Sequence, residues 1–258
     1  MSTPSPDELR RIAIEVATDA AAFVAEQRTA AAWTLTTDTK STPTDMVTAV
    51  DKASEARIVA ALHQRRPGDG VVAEEGSSAA SDTGVTWVID PIDGTTNFVY
   101  GYPATAVSVA AVDGENASIA GAVVDIGRRE VFSAARGKGA FLDDRLLTLP
   151  PGPLDLARAL IGTGFSYSPA MRVEQAAVLS RLLPVVRDVR RGGSAALDLC
   201  WASAGRVDAY YERGTAPWDR AAGLLIAHEV GLRGELVGDL VWVAHPTIAD
   251  ELVALITS

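Results

Sequence analysis

A mixed α/β fold with two lobes is what this 258-residue chain predicts, on three observations. Two helical apolar patterns come first, over residues 6–66. Closely spaced apolar runs divided by turn residues follow, and they read as an antiparallel meander. The second half then alternates short β-branched runs with helical periods. Strands in a run, followed by strand–helix alternation, argue for two sheets layered with helices. The lobes fall at approximately 1–150 and 151–258 and share one site.

The elements follow in order. Pro6-Asp-Glu8 opens a helix of about 20 residues, with Ser5 as N-cap and acids in the first turn. Ile12, Val16, Ala20, Phe23 and Val24 form its apolar stripe, and near Ala30 it gives way to the irregular segment Lys40-Ser-Thr-Pro-Thr-Asp45. Thr48 or Asp51 caps a second helix that ends before Pro67, with Ala53, Ile58, Ala61 and Leu62 on its inward stripe. Pro67-Gly-Asp-Gly70 turns into the strand Val71 to Ala73, which delivers Glu74 and Glu75 to its end. Gly76 to Gly84 is a small polar loop, and Val85 to Ile89 is a buried strand. The meander strands are Ala104 to Val112, Ser118 to Val124, Glu130 to Ala135 and Ala140 to Leu142. Asp113-Gly114 and Arg136-Gly-Lys-Gly139 mark turns between them. Then come a strand near Ala159 to Gly162, a helix from Pro169 to Leu183, and a strand near Arg187 to Arg190. A helix over 195–204, a strand over 207–211 and a helix over 217–230 come next. The strand Leu240 to Ala244 and a helix from Ile248 close the chain.

Composition narrows the function. The formal charge is −10, a poor match for nonspecific nucleic-acid or membrane binding. The single cysteine, Cys200, rules out an intrachain disulfide and fits a reducing cytoplasm. The first residues lack a basic stretch followed by an apolar core, and no apolar run approaches the roughly 20 residues of a membrane span.

Chemistry concentrates at Asp90-Pro-Ile-Asp93-Gly-Thr95. Two acids beyond a strand's carboxyl end, then a Gly-Thr turn opening a helix, make a site for a cation and a phosphate together. The acids hold the metal, and the N–H groups of Gly94 and Thr95 face the anion. An acidic protein can bind a phosphate ester only where bound cations reverse the local sign. Glu74, Asp90, Asp93 and Asp219 are the candidate acids. Two like charges about 4 Å apart repel by roughly 4 kcal/mol at an effective dielectric of 20, so such a cluster needs protons or cations. Magnesium, a hard ion with oxygen ligands, suits it.

Asp90-Pro-Ile-Asp-Gly-Thr-Thr-Asn97 resembles the first signature of the inositol monophosphatase family, magnesium-dependent and lithium-sensitive sugar phosphatases. Val72-Ala-Glu74-Glu75-Gly76 resembles the family's acidic loop, and Trp218-Asp219-Arg-Ala-Ala-Gly223 its second signature. Thr48-Ala-Val-Asp51 and Asp208-Ala-Tyr-Tyr-Glu212 match in family order. The resemblance implies a five-layer αβαβα sandwich, where periodicity alone reads only as mixed α/β. It implies two or three magnesium ions per site. Asp90 bridges two of them, Glu74 and the Ile92 carbonyl bind the first, and Asp93 and Asp219 bind the second. Glu74 and Thr95 hold the attacking water, and Asp51 orients the Thr95 hydroxyl. Glu212 contacts a sugar hydroxyl, and Ala195 offers a backbone N–H to the substrate. Lys40 is a family-like loop lysine beside the site or an inert surface charge. Glu75 points away, by strand alternation. Asp219 also reads as the N-cap of its helix. The implied substrate is a small phosphorylated polyol: an inositol monophosphate, with fructose 1,6-bisphosphate, histidinol phosphate and phosphoadenosine phosphate as alternatives. The implied assembly is a homodimer, to which Arg187, Arg190 and Arg191 could contribute.

Rival chemistries fit less well. Cys200 and Arg206 have the Cys-x5-Arg spacing of thiolate phosphatases, but the segment reads as a helix with a buried cysteine. Asp90 and Asp93 stand one residue too far apart for an Asp-x-Asp nucleophile, so direct attack by water is expected. His63, His228 and His245 have no metal-ligand spacing, and Gly162-Thr-Gly164 lacks the third glycine of a dinucleotide motif. A role in binding RNA or a transcription complex, the alternative that the resemblance implies through some bacterial relatives, has Arg187-Asp-Val-Arg-Arg191 as its best basic cluster.

Overall fold

Apolar periodicity places the helices. In the computed structural model, which describes residues 4–31, 37–39 and 46–257, α1 spans Pro6–Ala31. Ser5 Oγ accepts the Glu8 N–H at 3.2 Å, and Leu9, Ile12, Val16, Ala20 and Val24 are buried along one face. The helix outruns the expected length on good helix formers, Ala25, Glu26, Gln27 and Arg28. The short strands β1 (Thr37–Thr39) and β2 (Met46–Thr48) pair antiparallel. α2 (Ala49–Arg65) starts on Thr48, whose hydroxyl accepts from Val50 and Asp51 while Asp51 reaches back to the Thr48 N–H at 2.9 Å. This capping box settles the choice of cap. The inward face of α2 differs from expectation: Ala53 is exposed, and Asp51, Ser54, Glu55, Ile58 and Leu62 are buried.

The large sheet has eight strands: β3 (Gly70–Ala73), β4 (Ser78–Ala79), β5 (Thr86–Asp93), β6 (Ala106–Val112), β7 (Ser118–Asp125), β8 (Glu130–Ala135), β9 (Ala140–Leu142) and β10 (Arg145–Leu146). Their spatial order is β10-β9-β8-β7-β6-β5-β3-β4. From β5 to β10 every neighbour is antiparallel, as the meander predicts, whereas β3 lies parallel to β5. The parallel pair brings the carboxyl ends of β3 and β5 side by side.

The small sheet comes from the second half: β11 (Leu160–Thr163), β12 (Asp188–Arg190), β13 (Ala209–Arg213), β14 (Arg233–Val237) and β15 (Leu240–Ala244), in the order β12-β11-β13-β15-β14. β14 had no counterpart in the sequence reading. It is an edge strand, mostly exposed, and carries no buried face to produce alternation.

Helices α4 (Pro169–Leu182), α5 (Ala195–Ser203), α6 (Pro217–Val230) and α7 (Ala249–Thr257) complete the layers with the short α3 (Thr95–Tyr100). Four apolar cores separate five layers. Ile12, Val16, Ile58 and Leu62 pack on Trp87, Ile89 and Val109 of the large sheet. Phe132 and Val123 on its other face meet Leu197, Cys200 and Ile226 of α5 and α6. Leu199 and Ala227 continue onto Tyr210, Val241 and Val243 of the small sheet. Leu182, Leu252 and Ile256 cover that sheet's outer face. The αβαβα sandwich is therefore borne out. Among the described residues, no helix is long and apolar enough to cross a membrane.

Candidate active site

The cleft begins with an irregularity in β5. Asp90 pairs with Ser108 and Asp93 with Ala106, so three steps along β5 oppose two along β6. Residues three apart on a regular strand face opposite sides. The extra residue cancels that reversal and leaves both acids facing one way. Pro91 lacks the ladder N–H, and Asp90 Oδ1 accepts the Ile92 N–H at 3.0 Å, which closes the local turn. The acids therefore sit inside the strand's bulged end rather than beyond it, as the run Val85 to Ile89 had implied. Gly94 follows at φ 92°, where an added Cβ would lie 2.9 Å from the Ala104 carbonyl oxygen.

Thr95, the first residue of α3, is buried and turns its hydroxyl towards two acceptors, Asp51 Oδ1 at 3.0 Å and the Ile92 carbonyl at 3.1 Å. Asp51 is fully buried behind it, with its other oxygen on the Thr48 hydroxyl at 2.5 Å. Glu74 enters from the end of β3. The segment after it is held by Glu55, whose carboxylate accepts the Glu75 N–H at 2.6 Å and the Ser77 N–H at 2.9 Å. Glu55 escaped the sequence reading; its signal was an acid one turn after Asp51 on the inward face of α2. Glu75 does not line the cleft.

The second half supplies the other wall. Asp93 Oδ2 accepts the Ser194 hydroxyl at 2.6 Å and the Ala196 N–H at 2.7 Å, which ties β5 to the start of α5. Asp219 Oδ2 accepts the Ala216 N–H at 2.6 Å. Asp219 is thus three residues inside α6 and caps backwards; the N-cap itself is Ala216, not Asp219 as expected. Glu212 at the end of β13 accepts the Tyr210 hydroxyl at 2.5 Å. Gly164 makes room for it, since a Cβ there would lie 1.7 Å from Glu212 Oε2. That is the role of a glycine whose neighbourhood had resembled half a dinucleotide motif.

Glu74, Asp90, Ile92, Asp93, Gly94, Thr95, Ala195, Glu212 and Asp219 all line one cavity of about 240 Å³, and Asp51 touches it through Thr95. A more open hollow of about 550 Å³, lined in part by Tyr100, Tyr167, Arg172 and Arg191, adjoins it. Lys40 lies outside the described residues. Cys200 is fully buried in α5, and its thiol is pushed well up by burial and by Asp125 and Asp93. Arg206 pairs with Glu130 at 2.6 and 2.7 Å, so the Cys-x5-Arg segment forms no phosphate loop. None of the three histidines lines the cleft.

Electrostatics set the site's requirement. Asp90 is held well above the usual carboxylate range by burial first, then by Glu74, Asp93 and Asp219. Burial and the charge of Asp93 raise Asp219 in the same way. Asp93 is raised to about 7 by burial, against the pull of its Ser194 and Ala196 hydrogen bonds. Among the described residues, five carboxylates line the cavity against one arginine, Arg191. No three acid, histidine or cysteine side chains among the described residues form a ready-made ion cage. The donor chemistry nevertheless fits a hard divalent cation. Asp93 anchors Oδ2 on a hydroxyl and a backbone N–H, Asp219 anchors Oδ2 on a backbone N–H, and Asp90 anchors Oδ1 on the Ile92 N–H. All of the available ligand atoms are oxygens.

The fold and this cleft define a member of the inositol monophosphatase family: the family's model matches residues 5–244, and the chain belongs to it. Among its relatives is the inositol-1-monophosphatase SuhB of Mycobacterium tuberculosis, 48% identical over 271 residues, covering 96% of this chain and 93% of the relative. The solved structure of Mycobacterium tuberculosis SuhB superposes with a TM-score of 0.85 at 47% identity, covering 98% and 97% of the two chains. Inositol monophosphatase from Anabaena superposes at 0.83 with 30% identity, covering 97% and 96%. A protein named Nus factor SuhB from Vibrio cholerae is 44% identical over 189 residues, 72% of this chain and 70% of that one.

Proposed function

We propose that this cleft hydrolyses a small phosphorylated polyol, myo-inositol monophosphate first among them, by direct attack of water with magnesium as cofactor. The observation that carries the proposal is the meeting of Glu74, Asp90, Asp93 and Asp219 from three sequence-distant segments in one cavity, opposite Glu212 and Ala195. Glu74, Asp90, the Ile92 carbonyl, Asp93 and Asp219 are the groups that would hold two or three ions. Bound magnesium supplies positive charge to the phosphate and leaving oxygen and lowers the pKa of water.

The chain's own groups do the rest. The Thr95 hydroxyl gives its proton to Asp51 Oδ1 in a hydrogen bond, which leaves an oxygen lone pair to receive a water's proton in turn. Glu74 supports that water from the β3 side. The main-chain N–H groups of Gly94 and Thr95 serve the phosphoryl oxygens. Glu212, steadied by Tyr210, accepts from a ring hydroxyl, and Ala195, whose N–H has no partner within its own helix turn, donates to another. A bisphosphate or nucleotide would extend into the adjoining hollow. The homodimer and the lithium sensitivity implied by the resemblance, and the cytoplasmic setting read from the single cysteine, belong to the same proposal.

The relatives named Nus factor SuhB favour a second reading, a role in a transcription complex. The basic stretch it would use is dispersed: Arg190 binds Asp188 at 2.5 Å, Arg187 donates to the Arg158 carbonyl, and Arg191 lines the cleft. Phosphate release from inositol 1-phosphate, with magnesium and with chelator, tests the first reading. It is run beside fructose 1,6-bisphosphate, histidinol phosphate and phosphoadenosine phosphate at equal concentration. Metal-dependent release, fastest on inositol 1-phosphate, is expected. Another ester in the lead would move the substrate and keep the chemistry, and no release from any of the four would overturn the reading.

A further inference from the structure

We infer that Asp198 is a positioning residue, an acid that never meets substrate but holds the Gly192–Ser194 loop in the form the cleft requires. Only the kinetic arm of its test rests on the phosphatase reading above. Asp198 lies one turn into α5, is 1% exposed, and is absent from the cavity wall. Its carboxyl faces main chain, and the Gly193 N–H on that side favours the charged form. The loop lies directly on that carboxyl, since a Cβ at Gly192 would sit 2.5 Å from Asp198 Oδ1 and 2.9 Å from Oδ2. Gly193 itself adopts φ +87°, a conformation that an L side chain resists. On the opposite side Asn97 Nδ2 donates to the Gly192 carbonyl at 2.9 Å and lies 3.3 Å from that of Gly193. The loop is therefore gripped from both sides, by Asn97 from the first signature and by Asp198 from α5.

What the grip delivers is the geometry of Asp93 and Ala195. Ser194 and Ala196, the residues that leave the loop, both donate to Asp93 Oδ2, and Ala195 between them lines the cavity. A tilt of the loop would move all three together. A second observation separates this role from plain packing. Asp198 Oδ2 has no hydrogen-bond partner. A buried carboxyl with one orphaned oxygen is a poor way to fill space, and the neighbours Leu197 and Leu199 show the kind of residue that would fill it better. Glu212 and Asp93 also place like charge near Asp198, with Arg191 opposing them. What sets against these costs is the position of the carboxyl, pressed on the main chain of Gly192 with the Gly193 N–H beside it.

Two variants test this. Asp198→Asn keeps an acceptor of the same shape, and Asp198→Leu keeps the volume without it. In Asp198→Leu, KM and the magnesium concentration for half-maximal rate should each rise about tenfold, whereas Asp198→Asn should recover to within about twofold. A purely structural role would lower Tm in both without that split. Amide hydrogen exchange supplies an arm that needs no catalysis: residues 193–196 should exchange about tenfold faster in Asp198→Leu, with α1 and the large sheet unchanged. Should Asp198→Leu fail to fold, Asp198→Ser, too short to reach Gly193, carries the same expectations. Wild-type exchange and wild-type metal dependence in the acceptor-less variant would overturn the inference. If the wild-type chain hydrolyses no phosphate ester, the phosphatase reading falls, and the exchange arm still decides the role of Asp198.

Discussion

At the scale of single residues, the cleft depends on small groups that leave space as much as on acids that fill it. Gly164 is the clearest case, because its missing Cβ is occupied by the Glu212 carboxylate. Gly164→Ala should fold, since the collision involves the far end of a flexible side chain, but Glu212 must swing away from its place. Losing one charged hydrogen bond to the ring corresponds to about tenfold in KM for inositol 1-phosphate, with a smaller change in kcat. Steady-state kinetics on the variant checks this, and an unchanged KM would remove Glu212 from substrate recognition. The acids themselves were legible in the sequence because each stands in a distinctive local pattern. Gly164 was not, because its reason lies in a residue 48 positions away by number, Glu212, that only the pairing of β11 with β13 brings alongside.

At the scale of elements, α2 and the bulged end of β5 show how secondary structure aims side chains. α2 was expected to bury an apolar stripe through Ala53, but its first turns bury Asp51, Ser54 and Glu55 instead. Periodicity scores apolar residues, so it cannot see a helix face that is polar because it supports a site. Ser54 donates to the Pro91 carbonyl in the bulge at 3.3 Å, and Glu55 clamps the segment after Glu74. Glu55→Gln keeps the shape but can accept only one of the two N–H groups well. The magnesium concentration for half-maximal rate should rise by about 10–100-fold with the fold retained. A magnesium titration of the rate checks it; no shift would mean that the loop carrying Glu74 holds its own form. The bulge was invisible for a different reason, because register belongs to the pairing of two strands and β6 is not readable from β5. The edge strand β14 was missed because exposure on both faces erases alternation.

At the scale of the whole molecule, the five layers bring acids from both halves into one buried cluster, and that cluster sets a pH dependence. Burial raises Asp90, Asp93 and Asp219 above the unfolded carboxylate value of 3.8. A group whose folded pKa is raised contributes its stability fully below the unfolded value and loses it as pH climbs through the folded value, about 7 for Asp93. The metal-free protein should therefore lose Tm as pH rises from about 5 to about 8. Magnesium, which replaces the displaced protons, should restore it most at the alkaline end. Thermal unfolding across that range, with and without magnesium, measures both effects, and a Tm indifferent to both would mean the acids are not coupled as the burial implies. The layer order was legible from the succession of meander and alternation. The five-layer form came from resemblance, because periodicity cannot tell which face of a sheet a later helix will cover.

In the proposed function, Asp90 and its neighbours hold the cations on which phosphate release depends. This role is tested most directly by phosphate release from inositol 1-phosphate as a function of magnesium, for the wild-type chain and for Asp90→Asn. Saturating, chelator-sensitive release by the wild type is expected. For a folded Asp90→Asn protein the expected result is a loss of several kcal/mol in transition-state stabilisation, about a thousandfold in rate. Near-normal turnover by Asp90→Asn, with an unchanged magnesium requirement, would contradict that role.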